Sequence, residues 1–436
     1  MKVLKFGGTS VGSAQRIKDV ARLVCKGECN IIVLSAMAGT TNTLVEVGDY
    51  LYKRNSEGAR ETIGALERKY WDVIDELYSS QEYKAAAREA VKECFDRVRS
   101  CMKDLFTLYE EKIVLAQGEL MSTAMMHLYL QEQGVNSVML PALDYMRTDK
   151  NNEPDMRYIE SHLKAMLQEN SQSDIYITQG YICRNAYDEI DNLQRGGSDY
   201  SASLVGAAVE AEEIQIWTDI DGMHNNDPRY VEGTLPVHHL HFEEAAELAY
   251  FGAKILHPTC VQPAKQHNIP VRLLSTMEPD AEGTLISNNT TRRTIKAVAA
   301  KDNITAIKIK SGRMLLAYGF LRKVFEIFES YRTAIDMVTT SEVGVSVTID
   351  NTRHLPEILD DLRKFGTVTV DEDMVIICVV GDLEWQNVGF ESQVMAALKD
   401  IPVRMVSYGG SNYNISLLVR SEDKVRTLKA LSQELF

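Results

Sequence analysis

Short apolar runs recur along the first two-thirds of the chain, each closing on small or polar residues. Lys2-Val3-Leu4-Lys5-Phe6, the stretch from Asn30 to Ala36, Ile175 to Gly180 and Ile214 to Asp219 all have this character. Runs of that length, rich in Val and Ile, suit strands buried on both faces of a sheet. Helical patterns lie between them, starting with the stretch 14–23 directly after the first run. Residues 58–130 are charged and rich in helix formers, interrupted only by Gly58, Gly64 and Gly118 and free of proline, which predicts a helical layer or subdomain. Strands alternating with helices predict an α/β fold with a mainly parallel sheet sandwiched by helices.

Near residue 290 the pattern fails. Ser287-Asn288-Asn289-Thr290-Thr291-Arg292-Arg293 is polar without periodicity and divides the chain into 1–290 and 296–436. The second region carries an internal repeat offset by 70 residues: Gly319-Phe320 and Gly389-Phe390 each open a helix, and Val345-Ser346-Val347 corresponds to Ile415-Ser416-Leu417. Within 319–331, Phe320, Val324, Ile327, Phe328 and Tyr331 share one helical face, as packing on a sheet demands. The repeats fall at about 304–365 together with 421–436, and at about 368–420. Units this small cannot cover their own sheet edges, so they are expected to pair with each other or with another subunit.

Composition narrows the class. The 436 residues are 45% hydrophobic and 25% charged, as in a soluble globular protein, and no apolar run reaches the ~20 residues of a membrane span. No signal-peptide pattern opens the sequence, so the expected location is cytoplasmic. A net charge of -15 disfavours a nucleic-acid partner and makes any Lys or Arg in a glycine-rich loop more informative. Cys25, Cys29, Cys94, Cys101, Cys183, Cys260 and Cys378 contain no Cys-x-x-Cys pair and read as reduced thiols, with no metal site. His238-His239-Leu240-His241 lacks further ligands at zinc spacing and reads as structural.

Two loops carry the chemistry. Lys5-Phe6-Gly7-Gly8-Thr9-Ser10-Val11 joins a strand to a helix, so its glycines let the backbone approach a phosphate while Lys5 adds a point charge. It is neither a Walker A loop nor a dinucleotide fingerprint. Arg195-Gly196-Gly197-Ser198-Asp199-Tyr200 places a guanidinium, a backbone nest, a hydroxyl and a carboxylate at a helix start. Phosphoryl transfer needs donor and acceptor oxygens held at once, and two such loops in one α/β region meet that need.

Both loops resemble the signature motifs of the aspartokinases. Gly118-Glu119-Leu120-Met121-Ser122, Trp217-Thr218-Asp219 with Asp227-Pro228-Arg229, and Phe251-Gly252-Ala253-Lys254-Ile255-Leu256-His257-Pro258 are similar to further motifs of that family, in the same order. The resemblance implies an amino-acid-kinase fold followed by two ACT-like βαββαβ regulatory modules, with ATP and Mg2+ as cosubstrates and 4-phospho-L-aspartate as product. It carries Lys5 and Asp199 over as catalytic, and Ser35, Thr41, Glu119, Arg195 and Ser198 as substrate-binding. For the nucleotide it carries Lys5, Gly7, Gly8, Thr218, Asp219, His224, Arg229 and Lys254. His224 stands where the family commonly has Tyr, Gln117 where it has His, and Gln194 where it has Gly. The acceptor carboxylate is already ionised at neutral pH, so Asp199 is expected to orient Lys5 and not to act as a base.

The resemblance extends to an effector site at Met314, Gly319, Phe320, Asp336 and Ser341, patterned on the lysine-sensitive class. Ala317 and Ala334 replace serines common there, which keeps threonine as the alternative ligand. A homo-oligomer built through paired modules is expected. Two other readings stay open at this point: a kinase acting on another small acid such as acetylglutamate or on a nucleoside monophosphate, and a non-enzymatic amino-acid sensor. Intact Lys5, Asp199 and Arg229 speak against the sensor.

Overall fold

The computed structural model describes residues 1–436 apart from 26–28, 103–104, 194–195, 253–255, 290–294 and 312–317. The chain forms two compact units, Met1–Met223 with Leu256–Asn288, and His224–Ile255 with Asn289–Phe436.

In the first unit the apolar runs become strands β1 (Lys2–Phe6), β2 (Asn30–Leu34), β3 (Ser137–Met139) and β4 (Ile175–Gln179). A small hairpin of β5 (Ile182–Arg184) and β6 (Ile190–Asn192) precedes β7 (Ile214–Thr218). The short β8 (His239–His241) belongs to the other unit, and β9 (Val271–Ser275) and β10 (Thr284–Ser287) return to the first. The central sheet runs β3-β4-β2-β1-β7-β9-β10, with every pair parallel except β9 with β10. β2 and β4 are buried at every position, which is why they carry no alternation. In register, Phe6 lies beside both Leu34 and Trp217, and Leu34 beside Gln179. The carboxyl ends of β1, β2, β4 and β7 therefore finish level, the edge where open α/β sheets gather ligands.

The predicted helical layer comprises Ser56–Leu77, Gln81–Ser100 and Leu108–Glu132. The last of these is buried from Ile113 to Leu130 around much of its circumference. It sits between the sheet and the two outer helices, in one core with Ile32, Leu34, Tyr70 and Phe95. Enclosure on both sides explains why its sequence shows no clean polar face.

In the second unit one antiparallel sheet runs in the order β12-β13-β11-β14-β16-β15. Its strands are β11 (Ile295–Lys310), β12 (Val338–Ser341), β13 (Gly344–Ile349), β14 (Thr367–Gly381), β15 (Met405–Ser407) and β16 (Asn414–Arg420). The 70-residue repeat appears as two equivalent helices, Phe320–Ser330 and Phe390–Ala397, entered through Gly319 (φ 84°) and Gly389 (φ 104°). One core joins Ile307, Ile309, Phe320, Val324, Phe328, Val345, Val347, Ile358 and Leu362. The other joins Val375, Ile377, Phe390, Val394, Ile415, Leu417, Leu428 and Leu431. The helix Lys424–Leu435 thus packs with the second repeat and not, as its sequence position within 421–436 leads one to expect, with the first. Its apolar residues Leu428 and Leu431 find the open flank beside Phe390 and Val394, a preference that periodicity does not reveal. β11 and β14 pair along nearly their whole length and pass from one core to the other at the register shifts between Lys301 and Ala306.

Candidate active site

Lys5, the penultimate residue of β1, is buried, and its ammonium lies 2.7 Å from a carboxylate oxygen of Asp199. Asp199 stands in the first turn of the helix Gly197–Ala208, where the amide ends of the helix favour a negative charge. That helix starts from Gly196 at φ 75°; a Cβ there would lie 1.7 Å from the Cys260 sulfur. Only glycine meets both conditions. Cys260, which no motif singled out, therefore fixes how close the loop comes.

From Asp199 the site continues through a chain of contacts. The Ser35 hydroxyl at the end of β2 donates to Ser198 Oγ at 2.9 Å. The Ser35 carbonyl accepts from the Ser122 hydroxyl at 2.7 Å, and the Ala36 amide donates to Glu119 Oε1 at 3.2 Å. Glu119 is 3% exposed, and its Oε2 is buried without a hydrogen-bond partner. Burial pushes its carboxyl up to about 8, only partly offset by the Ala36 amide. With its carboxyl so raised, Glu119 keeps its proton over much of the neutral range and pairs with a cation only as it gives that proton up. Thr41 is half-buried in the first turn of the helix Thr40–Tyr52.

Two further side chains hold the Ala36–Thr41 turn. Tyr70 pairs with the Thr40 hydroxyl at 3.0 Å, and the Lys69 ammonium donates to the Ala38 carbonyl at 2.6 Å. Both reach across from the outer helix Ser56–Leu77, a long-range contact with no signature in sequence. Of the two loop glycines, the Gly7 amide donates to the Trp217 carbonyl at 3.3 Å, so it is directed at β7 and not outward. Gly8 opens the short helical turn Gly8–Val11. Thr218, at the end of β7, accepts a hydrogen bond on its carbonyl from Thr276 at 2.9 Å, while Asp219 is exposed.

His224 and Arg229 belong to the second unit. His224 Nδ1 meets the Thr234 hydroxyl at 2.9 Å, and Arg229 forms a fork on Asp227, at 2.6 Å for the closest oxygen. Their segment rests on the regulatory repeat: Asn226 donates to the Leu428 carbonyl at 3.0 Å, and the Lys424 ammonium lies 4.2 Å from the Tyr230 ring centroid. His241 caps the helix Phe242–Tyr250, accepting from the Glu243 amide. Among the effector residues, Phe320 is buried, Gly319 caps its helix, and Ser341 is exposed at the end of β12. Asp336 is ion-paired to Lys301. Arg195, Gln194, Lys254, Met314 and Ala317 lie outside the described residues. No helix among the described residues is long and apolar enough to cross a membrane.

Comparison with known proteins gives a consistent result. The model of the amino acid kinase family matches residues 1–275, and an ACT domain model matches 377–435. The chain is 33% identical to the chloroplastic aspartokinase 3 of Arabidopsis thaliana, over all of this chain and 81% of that protein. It is 32% identical to the lysine-sensitive aspartokinase 3 of Escherichia coli, over all of this chain and 99% of the relative. The crystal structure of E. coli aspartokinase III with aspartate and ADP superposes with a TM-score of 0.86 at 31% identity, covering both chains fully.

Proposed function

The chain belongs to the amino acid kinase family, and within it to the aspartokinases, and from that premise we propose how this aspartate kinase works. The γ-phosphoryl group of ATP passes to the side-chain carboxylate of L-aspartate, giving 4-phospho-L-aspartate and ADP. The observation that carries this reading is Glu119: a buried carboxylate with one unpartnered oxygen beside the Ser35–Ser198 contact. The ammonium of aspartate is the partner such an oxygen lacks, and an N-acylated acceptor has none to offer. Arg195 then takes the α-carboxylate with its planar fork, and Ser35, Thr41 and Ser198 supply hydroxyls.

The acceptor oxygen attacks phosphorus as the bond to the bridging oxygen of ADP breaks, and no proton has to be removed. What the transfer needs is neutralisation of charge on the moving oxygens. Lys5 supplies it, and Asp199, 2.7 Å away, holds the Lys5 ammonium in place. Thr218, Asp219, His224, Arg229 and Lys254 serve the nucleotide, with Gly7 and Gly8 letting the backbone approach it. Among the described residues no three His, Cys, Asp or Glu side chains cluster for a metal. Mg2+ usually takes phosphates, waters and one or two carboxylates, and would here be held mainly by the ATP phosphates, with Asp199 or Asp219 as the carboxylate we assign to it. When bound, it neutralises phosphate charge.

We further read 1–290 as carrying catalysis and 296–436 as regulatory, with the segment 224–255 of the first clustering in the unit of the second. The effector is lysine, as the name of the E. coli relative suggests, with threonine second. It is held by the Asp336, Gly319, Phe320, Ser341 and Met314 set in a cytoplasmic homo-oligomer. The test is an ATP-dependent hydroxamate assay with aspartate, glutamate and N-acetylglutamate in parallel, with and without lysine or threonine. Aspartate alone is expected to react; no turnover on aspartate would overturn the reading.

A further inference from the structure

Asp336 has an occupant from its own chain. Its backbone is fixed on β13, the amide donating to the Thr348 carbonyl at 2.9 Å. Its side chain is 1% exposed and one oxygen, Oδ1, takes the Lys301 ammonium at 2.6 Å and the Tyr250 hydroxyl at 3.0 Å. The other oxygen is buried without a hydrogen-bond partner. Beside it opens a cavity of about 290 Å³ that Asp336 lines together with Glu247, Tyr250, Ser407, Ser411 and Asn414. Gly319, Phe320 and Ser341 do not line that cavity.

The same knot grips the end of the helix Phe242–Tyr250. The Lys301 ammonium stands 4.6 Å from the Tyr250 ring centroid, as well as bonding the carboxylate that Tyr250 bonds. Two residues on, Gly252 has φ 124°, and a Cβ there would lie 2.1 Å from the carbonyl oxygen of Ala300, the neighbour of Lys301. The Tyr250–Gly252 turn is thus pressed onto β11 at Ala300–Lys301, and in sequence it leads directly into Ala253-Lys254. Lys301 also has a second partner, Asp350 at 2.9 Å, whose side chain is 40% exposed. Leaving Asp336 does not strand its charge. Such an exchange of partners is the kind of two-state element through which a ligand can act.

Resting on the reading of Asp336 as an effector residue, we propose that Lys301 is a built-in competitor of the effector. The ammonium of an incoming amino acid replaces that of Lys301 on Asp336, Lys301 retires to Asp350, and the grip on the Tyr250–Gly252 turn is released. Effector binding and nucleotide binding then oppose each other through this one contact.

Calorimetric titration of the full chain with L-lysine and with L-threonine, alongside kinetics in ATP, tests this. In Lys301→Met, which keeps the stem and removes the charge, the bound amino acid is expected to gain about fivefold or more in affinity. Its KM for ATP without effector is expected to rise toward that of the inhibited enzyme. Asp350→Asn, at a partly exposed site, leaves Lys301 no second partner and is expected to weaken the same ligand, an opposite sign that general loosening of the fold does not produce. Tyr250→Phe should raise the KM for ATP with little change in fold. If Asp336→Asn binds the amino acid as well as the wild type, the effector reading itself fails. If Asp336→Asn loses the ligand but Lys301→Met and Asp350→Asn leave its affinity unchanged, the competition alone fails. Absence of binding to wild type and Lys301→Met alike also overturns it.

Discussion

Glu119 shows how much one residue's surroundings decide. On its own, a glutamate in a helix is a solvated charge; here the helix carrying it is enclosed, and its carboxyl is pushed up to about 8. The folded chain therefore holds a proton that the unfolded chain, titrating near 4.5, has released. Between those values the folded state binds more protons, so this group's contribution to stability is present below about 4.5 and is lost as pH rises toward 8. Glu119→Gln, which does not titrate, is expected to gain in melting temperature relative to the wild type from pH 5 to 8 and then level off. Because aspartate's ammonium requires the ionised form, binding should release a proton near neutrality. The KM for aspartate should accordingly fall as pH rises from 6 to 8. Calorimetry in buffers of different ionisation enthalpy reads the proton directly, and Glu119→Gln should abolish both effects. The motif around Glu119 was legible in sequence; the enclosure that shifts its charge was not, because it depends on helices packing from both sides.

At the level of elements, the helix start at Gly196 is the sharpest constraint. Gly196→Ala meets a left-handed backbone and the Cys260 sulfur together, so a loss of about 1–3 kcal/mol is expected, with turnover falling as Asp199 moves. Adding Cys260→Ala should restore the steric part of the stability in thermal melts and leave the backbone part; no recovery would show that Cys260 does not set the loop. The strands, the helical layer and the paired helices after Gly319 and Gly389 were all readable, since each follows from a local period or a repeat. The fastening of the Ala36–Thr41 turn by Lys69 and Tyr70 was not, since nothing in residues 69–70 announces a partner some thirty positions earlier. The placing of the helix Lys424–Leu435 escaped for the same reason: its two buried leucines fit either repeat until the cores are seen.

For the whole molecule, the informative fact is where the segment 224–255 belongs. A single sequence break near residue 290 suggested two successive regions, yet this segment clusters with the regulatory sheet. Val231 lies in the same core as Leu428 and Leu431, and Asn226 bonds the Leu428 carbonyl. Leu428→Ala should cost about 2–5 kcal/mol in that unit. It is also expected to raise the KM for ATP while leaving that for aspartate nearly unchanged, as steady-state kinetics would show. Equal changes in both would mean that the packing of 224–255 on the helix Lys424–Leu435 has no bearing on the nucleotide.

β11 and β14 each begin in one repeat's core and end in the other's. The first core, from Ile307 to Val368, is one stretch inserted between the parts of the second, which takes Val298 before it and Val375–Leu431 after it, so no single cut frees one from its twin. Anyone wishing to transplant this responsiveness onto another enzyme must move the stretch 295–435 entire, together with 224–255, which packs into it. By the same logic, a lineage that had outgrown the second could blunt it by point substitution but not discard it by one continuous deletion that spares the first.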